Sequence, residues 1–378
     1  MLSVFEKYFE KHEVCRVALT NEHLQAQMVV VIPCYDEDYL FDTLQSLEFA
    51  TPIKSKICVI VVVNSSELTP QKIIDKNLKI FSDLESVKHN YRHFSLLPIW
   101  VEGVRRKYAG VGNARKIGMD TALRIFESKY NLDGVIVSLD ADTLVSHDFF
   151  QVIESHFKNH QNKALVYEFE HRTTGNADEY KACLEYEKYL HYYRKMLQQI
   201  GFPHDFYTMG CDFSVRAESY MKVGGMPQKQ GGEDFYFLHK VAQTTEIKTI
   251  EKVLVYPSAR VSTRVPFGTG QTVLKIMQNG VYKGYKYESF MLLKSFYAAL
   301  YDFAYNSRLV LDEISPEVLD FIGHDTFVNI VEKCKNTTKN PQSLYKKLIA
   351  EYDGFFILKF LNYISTQPGY EIEEMRNL

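Results

Sequence analysis

Two spacings of apolar residues organise this chain. Residues 28–33 (MVVVIP) and 57–63 (ICVIVVV) are unbroken, β-branched runs, the pattern of strands buried on both faces of a parallel sheet. Between them, within residues 38–49, Leu40, Phe41, Leu44 and Leu47 recur at helical spacing. Strand, helix and strand joined by short connections predict a βαβ unit with a right-handed crossover. The polar, Lys-rich stretch 64–106 reads as helix plus loop. Gly110-Val111-Gly112-Asn113 then opens a helix from Ala114 to about Lys129, which leads into a short apolar strand at 134–139. Further strands are predicted at 164–170, 209–215 and 247–255, with the turn Val223-Gly224-Gly225-Met226-Pro227 between the last two. Residues 180–200 form a long helix with Cys183, Tyr186, Leu190, Tyr193, Leu197 and Ile200 on one stripe, and beyond about residue 270 the pattern is helical and aromatic. The expected fold is α/β, a mostly parallel sheet flanked by helices with a helical C-terminal extension. The expected division is a helical lead-in at 1–27, a sheet domain at 28–265 and a helical extension at 266–378 packed on that domain.

The candidate chemistry lies where strands run out into polar sequence. The 134–139 strand ends in Asp140-Ala141-Asp142. Two carboxylates at such an edge are costly unless a cation or donor groups compensate them, and a divalent metal bridging to a phosphate does so with oxygen ligands. The first strand ends in Pro33-Cys34-Tyr35-Asp36-Glu37. In open α/β sheets ligands bind beyond the carboxyl ends of the strands, so this loop and the Asp140 loop are expected to face one crevice. A Tyr ring there can stack on a base, and a carboxylate can accept from a base or ribose.

The segment Gly110-Val111-Gly112-Asn113-Ala114-Arg115-Lys116 puts glycines and two cations at a helix start, a natural place for phosphate. Arg115 can fork onto a pair of diphosphate oxygens. The spacing is neither that of a P-loop nor G-x-G-x-x-G. Gly231-Gly232-Glu233-Asp234 enters an apolar run. Its two acids either divide between backbone donors and a general-base role, or act together as a capping pair favoured by the helix dipole. Gly-Gly-Glu-Asp-Phe is similar to the diguanylate cyclase signature, but its acidic order differs and that family lacks the upstream segments.

Composition narrows the class. The chain has 378 residues, 46% hydrophobic and 24% charged, ordinary for a globular protein with a large core. A net charge of −3 supplies no global basic field, so nucleic acid is not an expected partner. The 26 Tyr and 25 Phe suggest grooves lined by amphipathic rings. Six cysteines without a C-x-x-C pair suit a reducing compartment and offer no zinc site. Residues 1–20 mix charges unlike a signal peptide, and no apolar run approaches the ~20 residues a spanning helix needs. A cytoplasmic protein, soluble or at the inner face of the membrane, is expected.

In chain order, Pro33-x-Tyr35-x-Glu37, the second strand ending at Asn64, Gly110-x-Gly112-x-Ala114-Arg115-x-x-Gly118 and Leu139-Asp140-Ala141-Asp142 are followed by Arg216…Val223-Gly224-Gly225 and Gly232-Glu233-Asp234. Together, over residues 28–257, they resemble the family 2 glycosyltransferases with a GT-A fold. The resemblance implies a GT-A catalytic domain at 28–265 and inverting transfer of a sugar from a nucleotide-diphosphate donor to a hydroxyl of a glycan, glycolipid or small-molecule acceptor. It implies that Pro33, Tyr35 and Glu37 border the nucleoside, that Gly112 and Arg115 lie near the donor phosphates, and that Asp140 contacts ribose or sugar. Asp142, with Asp140, would hold Mn²⁺ or Mg²⁺, and Asp234 beside Glu233 would be the base that takes the acceptor proton.

Asn64-Ser65-Ser66 stands where many relatives carry paired aspartates; Asn64 can still hydrogen-bond a base edge. His239 is the only histidine between Asp205 and Gly323, and its place just past the Glu-Asp pair does not suit the later His metal ligand of some GT-A enzymes. The loop after the last strand offers Arg260 and Arg264 beside Gly268 and Gly270, either as a closing loop over the phosphates or as ordinary surface. The Gln-x-x-Arg-Trp motif of processive polymerases is missing, because the only Trp is Trp100. Two other classes compete: a nucleotidyltransferase on a related α/β scaffold, and a nucleotide-sugar-binding protein without catalysis. The first normally carries a Gly-rich signature with Lys after strand one, and Pro33-Cys34-Tyr35-Asp36-Glu37 has neither.

Overall fold

The β-branched runs form the middle of a mixed sheet. The computed structural model describes residues 2–173, 176–262 and 268–375. The chain divides into two units, 1–180 with 207–271, and 181–206 with 272–378. In the first unit, β1 (Met28–Cys34) and β2 (Ile57–Ser66) pair in parallel from Met28↔Ile57 to Cys34↔Val63. Their valines and isoleucines are fully buried, as continuous apolar strands require.

Beyond β2 lies β3 (Ser95–Val104), and on the other side of β1 lies β4 (Val135–Ser138), both parallel to their neighbours. The described sheet continues through β5 (Leu144–Val145), β6 (Ala164–Phe169), β7 (Phe213–Arg216) and β8 (Ile247–Tyr256) in the spatial order β3-β2-β1-β4-β7-β6-β8-β5. Strand β7 runs antiparallel between β4 and β6, and β8 returns to a parallel pairing with β6. The expected α/β class and mostly parallel sheet are thus present.

Strand β3 departs from expectation. The stretch 64–106, expected as helix plus loop, contains helix α3 (Gln71–Val87) and then a ten-residue strand. Only its first half is buried, its polar second half conceals the pattern, and Pro98 sits inside it. An edge strand tolerates a residue without an N–H on its unpaired side. Strand β2 also runs past Asn64 to Ser66, with a register shift against β3 between those two residues.

Helix α1 (Val4–Lys11) begins with a capping box, in which Ser3 and Glu6 satisfy each other's backbone N–H. Its Tyr8 and the distant Tyr220 each donate a 2.8 Å hydrogen bond to buried Asp120. Asp120 belongs to α4 (Val111–Glu127), which also follows α2 (Leu40–Phe49) in the chain and packs on β1 and β2. Gly118 permits that approach: a Cβ there would collide with Val31 and lie 3.2 Å from Val62. Helices α5 (Phe149–Phe157), α6 (Ala177–Gln199), α7 (Ala217–Lys222) and α8 (Glu233–Thr244) follow.

The second unit is built on most of α6 together with helices α9 (Thr269–Asn279), α10 (Tyr287–Asn306), α11 (Pro316–Ile322), α12 (His324–Asn336), α13 (Pro341–Glu351) and α14 (Gly354–Ile364). Phe290, Leu293, Phe296, Tyr297 and Leu300 of α10 recur every three or four residues and join Leu344, Leu348, Ile357, Phe360 and Leu361 in one core. Much of the aromatic content is therefore packing. Among the described residues no helix is long and apolar enough to cross a membrane.

Candidate active site

The loop after β1 is held from several sides. Asp36 has φ +50°, a left-handed conformation that non-glycine residues seldom adopt. Its N–H donates to Asn77 Oδ1 at 2.9 Å, and Asn77 Nδ2 donates to the Asn64 carbonyl at 3.2 Å. Lys76 pairs with Asp36 at 2.8 Å and with Asp38 at 2.7 Å. Asn77 and Lys76 both come from α3, so this helix ties together the strand ends that carry Pro33, Tyr35 and Asn64.

Glu37 is buried and uses both carboxylate oxygens. Oε1 accepts from the N–H groups of Asp38 and Tyr39 at 2.9 and 3.0 Å, and Oε2 pairs with Arg260. Arg260 follows β8 and reaches Asp142 Oδ2 as well, through Nε at 3.1 Å and Nη2 at 2.9 Å. Arg172 donates to the Asp142 carbonyl at 3.1 Å. The guanidinium carbons of Arg172 and Arg260 lie 5.4 and 5.2 Å from the centre of the Tyr39 ring, within cation–π range.

The other half of the acidic pair is served from beneath. Arg115, only 3% exposed, comes from the first turn of α4; Nη2 pairs with Asp140 and Nη1 with Glu233, itself 1% exposed. Three segments meet here: the end of β4, the start of α4 and the start of α8. Gly210 faces the same guanidinium, for a Cβ there would lie 2.5 Å from Arg115 Cζ and 2.8 Å from Nη1. The Ser138 hydroxyl donates to the Gly210 carbonyl at 2.6 Å and sets that backbone in place.

The glycines at the start of α4 accommodate chain rather than open space. A Cβ on Gly112 would lie 2.6 and 2.7 Å from the carbonyls of Lys229 and Pro227, and one on Gly110 would lie 2.5 Å from Gln230 Cα. The 227–230 backbone therefore crosses this helix start.

Glu233 and Asp234 differ in role as geometry. Gly232, in left-handed conformation at φ +67°, starts α8. Glu233 turns inward to Arg115, while Asp234 Oδ1 accepts from the Phe235 N–H at 2.7 Å. Burial raises the proton affinity of Asp234, and the Arg115 charge opposes that rise.

Sequence reasoning missed Asp212. It is fully buried, with neither carboxylate oxygen in hydrogen-bonding geometry with a partner. Burial first, and then the charge of Asp234, push it well above the usual carboxylate range, which favours the neutral acid. Its signal was present: an aspartate inside an apolar strand-like run, Cys211-Asp212-Phe213, is expensive without compensation. Arg172 was also missed, and nothing local marks it. Arg264 lies outside the described residues.

Asp140, Asp142 and Glu37 offer the hard oxygen donors that Mg²⁺ and Mn²⁺ prefer. As arranged, however, Asp140 is engaged by Arg115 and Asp142 by Arg260. Among the described residues no three ligand-type side chains converge as a metal group. The acidic pair therefore does not fit a divalent ion in this arrangement.

No protein-family description matches this chain, and no curated protein matches its sequence. Among solved structures it is similar to TarS of S. aureus, at 13% identity over 91% of this chain and a TM-score of 0.43. The chain spans 56% of the length of that structure. Residues 1–349 of TarS in complex with UDP-GlcNAc give 12% identity, 91% and 93% of the two chains and a TM-score of 0.45. The mannosyltransferase PcManGT of Pyrobaculum calidifontis, in complex with GDP-Man and Mn²⁺, gives 14%, 97%, 86% and 0.41. Likeness at this level leaves the functional reading to the residues of the site itself.

Proposed function

We propose that this chain is an inverting glycosyltransferase of the GT-A, family 2 type, moving a sugar from a nucleotide-diphosphate donor to an acceptor hydroxyl. The observation that carries this reading is the convergence on Arg115 of Asp140, from the end of β4, and Glu233, from the start of α8. Together with the motif order along the chain, it supports reading Asp140 as the donor-side carboxylate and Glu233-Asp234 as the acceptor-side pair.

The chemistry follows from these residues. The donor lies beyond the carboxyl ends of β1, β2 and β4, with Tyr35, Glu37 and Asn64 toward the nucleoside. As the glycosidic bond to the diphosphate breaks, negative charge grows on the leaving group, and arginines already fixed in place stabilise it without reorganising. Asp234, whose proton affinity is raised by burial, takes the acceptor hydroxyl proton as that oxygen attacks the anomeric carbon. One displacement inverts the configuration. Glu233 is spent on Arg115 and acts as a positioning residue. The acceptor is a hydroxyl of a glycan, a glycolipid or a small molecule, and the setting is the cytoplasm or the inner face of the membrane.

The test is Asp234→Asn against a panel of UDP- and GDP-sugars. Transfer should fall by about 10²–10⁴-fold while donor binding and thermal midpoint stay near wild type. Full transfer by the variant overturns the assignment. Release of pyrophosphate in place of nucleoside diphosphate would replace glycosyl transfer with nucleotidyl transfer.

A further inference from the structure

The hydroxyl of Tyr8 joins two segments that carry different parts of the candidate site. Lys116, Asp120 and Arg124, spaced four apart, present one face of α4 to α1. The guanidinium carbon of Arg124 sits 3.9 Å from the centre of the Phe9 ring, and Phe5 is fully buried. At the centre of this contact Asp120, 1% exposed, accepts from the Tyr8 and Tyr220 hydroxyls through Oδ1 and pairs with Lys116 at 2.8 Å through Oδ2. Lys116 Nζ also donates to the Tyr8 hydroxyl at 3.2 Å and lies 5.6 Å from the centre of its ring. The residue directly after Arg115 is thereby fixed to α1.

On its other side the same hydroxyl meets the turn at Gly225. Gly225 has φ +77°, and a Cβ there would collide with the Tyr8 oxygen and lie 3.1 Å from that of Tyr220. Two residues on, the 227–230 backbone crosses the start of α4 and leads through Gly231 and Gly232 to Glu233 and Asp234. Removing the hydroxyl takes a donor from buried Asp120 and an acceptor from Lys116, so both re-aim toward the partners left to them. It also leaves Gly225 without the atom it packs on.

We propose that Tyr8 is a positioning residue: its hydroxyl sets the start of α4 and the 225–234 segment relative to each other, and so Arg115 relative to Asp234. Its bearing on turnover rests on the glycosyl-transfer reading; the junction itself rests on the contacts of Tyr8.

The test compares Tyr8→Phe with Arg124→Gln in the full chain. Both loosen α1, but only the first touches Asp120 and Lys116. In Tyr8→Phe, hydrogen–deuterium exchange should rise several-fold at amides of 114–120 and 225–236 while β1 and β2 stay as in wild type. Arg124→Gln should leave both segments at wild-type rates. Well below either thermal midpoint, kcat of Tyr8→Phe should fall about three- to tenfold with the donor KM within about twofold, as expected when reacting groups are misplaced and binding is kept. Arg124→Gln should keep the wild-type kcat.

Unchanged exchange at both segments in Tyr8→Phe, an unchanged kcat, a loss confined to KM, or an equal loss of kcat in Arg124→Gln each overturns the proposal. The exchange readout involves no sugar. Raised local exchange in a protein that transfers from no nucleotide sugar retires the glycosyl-transfer reading and keeps the junction. Transfer lost in Asp234→Asn yet untouched in Tyr8→Phe does the reverse.

Discussion

One methyl group at Gly210 tests the centre of the site. An alanine Cβ would lie 2.5 Å from Arg115 Cζ and 2.8 Å from Nη1, where ordinary contacts begin at 3.4 Å. Nη2 of Arg115 is overlapped more deeply still, so relief requires a shift of more than 1 Å. The guanidinium has little freedom to give, because Asp140 and Glu233 hold both of its terminal nitrogens. Overpacking alone costs about 1–3 kcal/mol. If Arg115 is expelled instead, Glu233 keeps a buried charge that has lost its partner, a loss of about 3–5 kcal/mol. Gly210→Ala should therefore destabilise the protein by roughly 3 kcal/mol, the range where these two routes meet. Arg115→Ala should cost about 3–5 kcal/mol for the same reason. With the guanidinium gone, the methyl enters vacated space, and adding Gly210→Ala to Arg115→Ala should cost less than about 0.5 kcal/mol. The cycle then yields a coupling of about 2–3 kcal/mol, near the upper end for residues in contact. Urea unfolding of the four proteins at one pH, with m-values compared, measures it. A Gly210→Ala protein as stable as wild type, or two losses that simply add, refutes the claim that Gly210 is the wall holding Arg115 in place.

Other expectations concern groups away from that contact. Asp212 has a raised pKa when folded, so it contributes stability below the unfolded carboxylate value near 4 and loses it as pH rises toward the folded value, by up to about 1.4 kcal/mol per pH unit. Asp212→Asn removes this dependence: its thermal midpoint should match wild type near pH 4 and exceed it increasingly toward pH 8, and parallel curves for the two proteins would discard the buried acid. Tyr8→Phe deletes the hydrogen bond to Asp120 and should cost about 1 kcal/mol. Limited proteolysis should then release the segment preceding β1 faster, and an unchanged digestion pattern would detach α1 from that network.

Much of the sheet is legible in residue order. Unbroken β-branched runs announce β1, β2 and β4 because both of their faces are buried, and the 3.6-residue spacing announces α2 and α4. Strand β3 is not legible in the same way: half of it faces outward, and its identity comes from lying beside β2. The acidic triplet at the end of β4 was also readable, since carboxylates ending an apolar run require a partner. Which partner each acid takes was decided elsewhere. Arg115 is 118 residues from Glu233, and Arg260 is 223 from Glu37. Gly112 looked like a place for phosphate because a helix starts there, yet the crossing of residues 227–230 above it has no local signature. Sequence by itself determined β1, β2 and β4, the helix faces and where unpaired charge would emerge, because burial periodicity and the cost of a buried carboxylate are local. The tertiary structure alone decided which arginine neutralises which acid, because charge pairing acts through space between segments that only folding brings together.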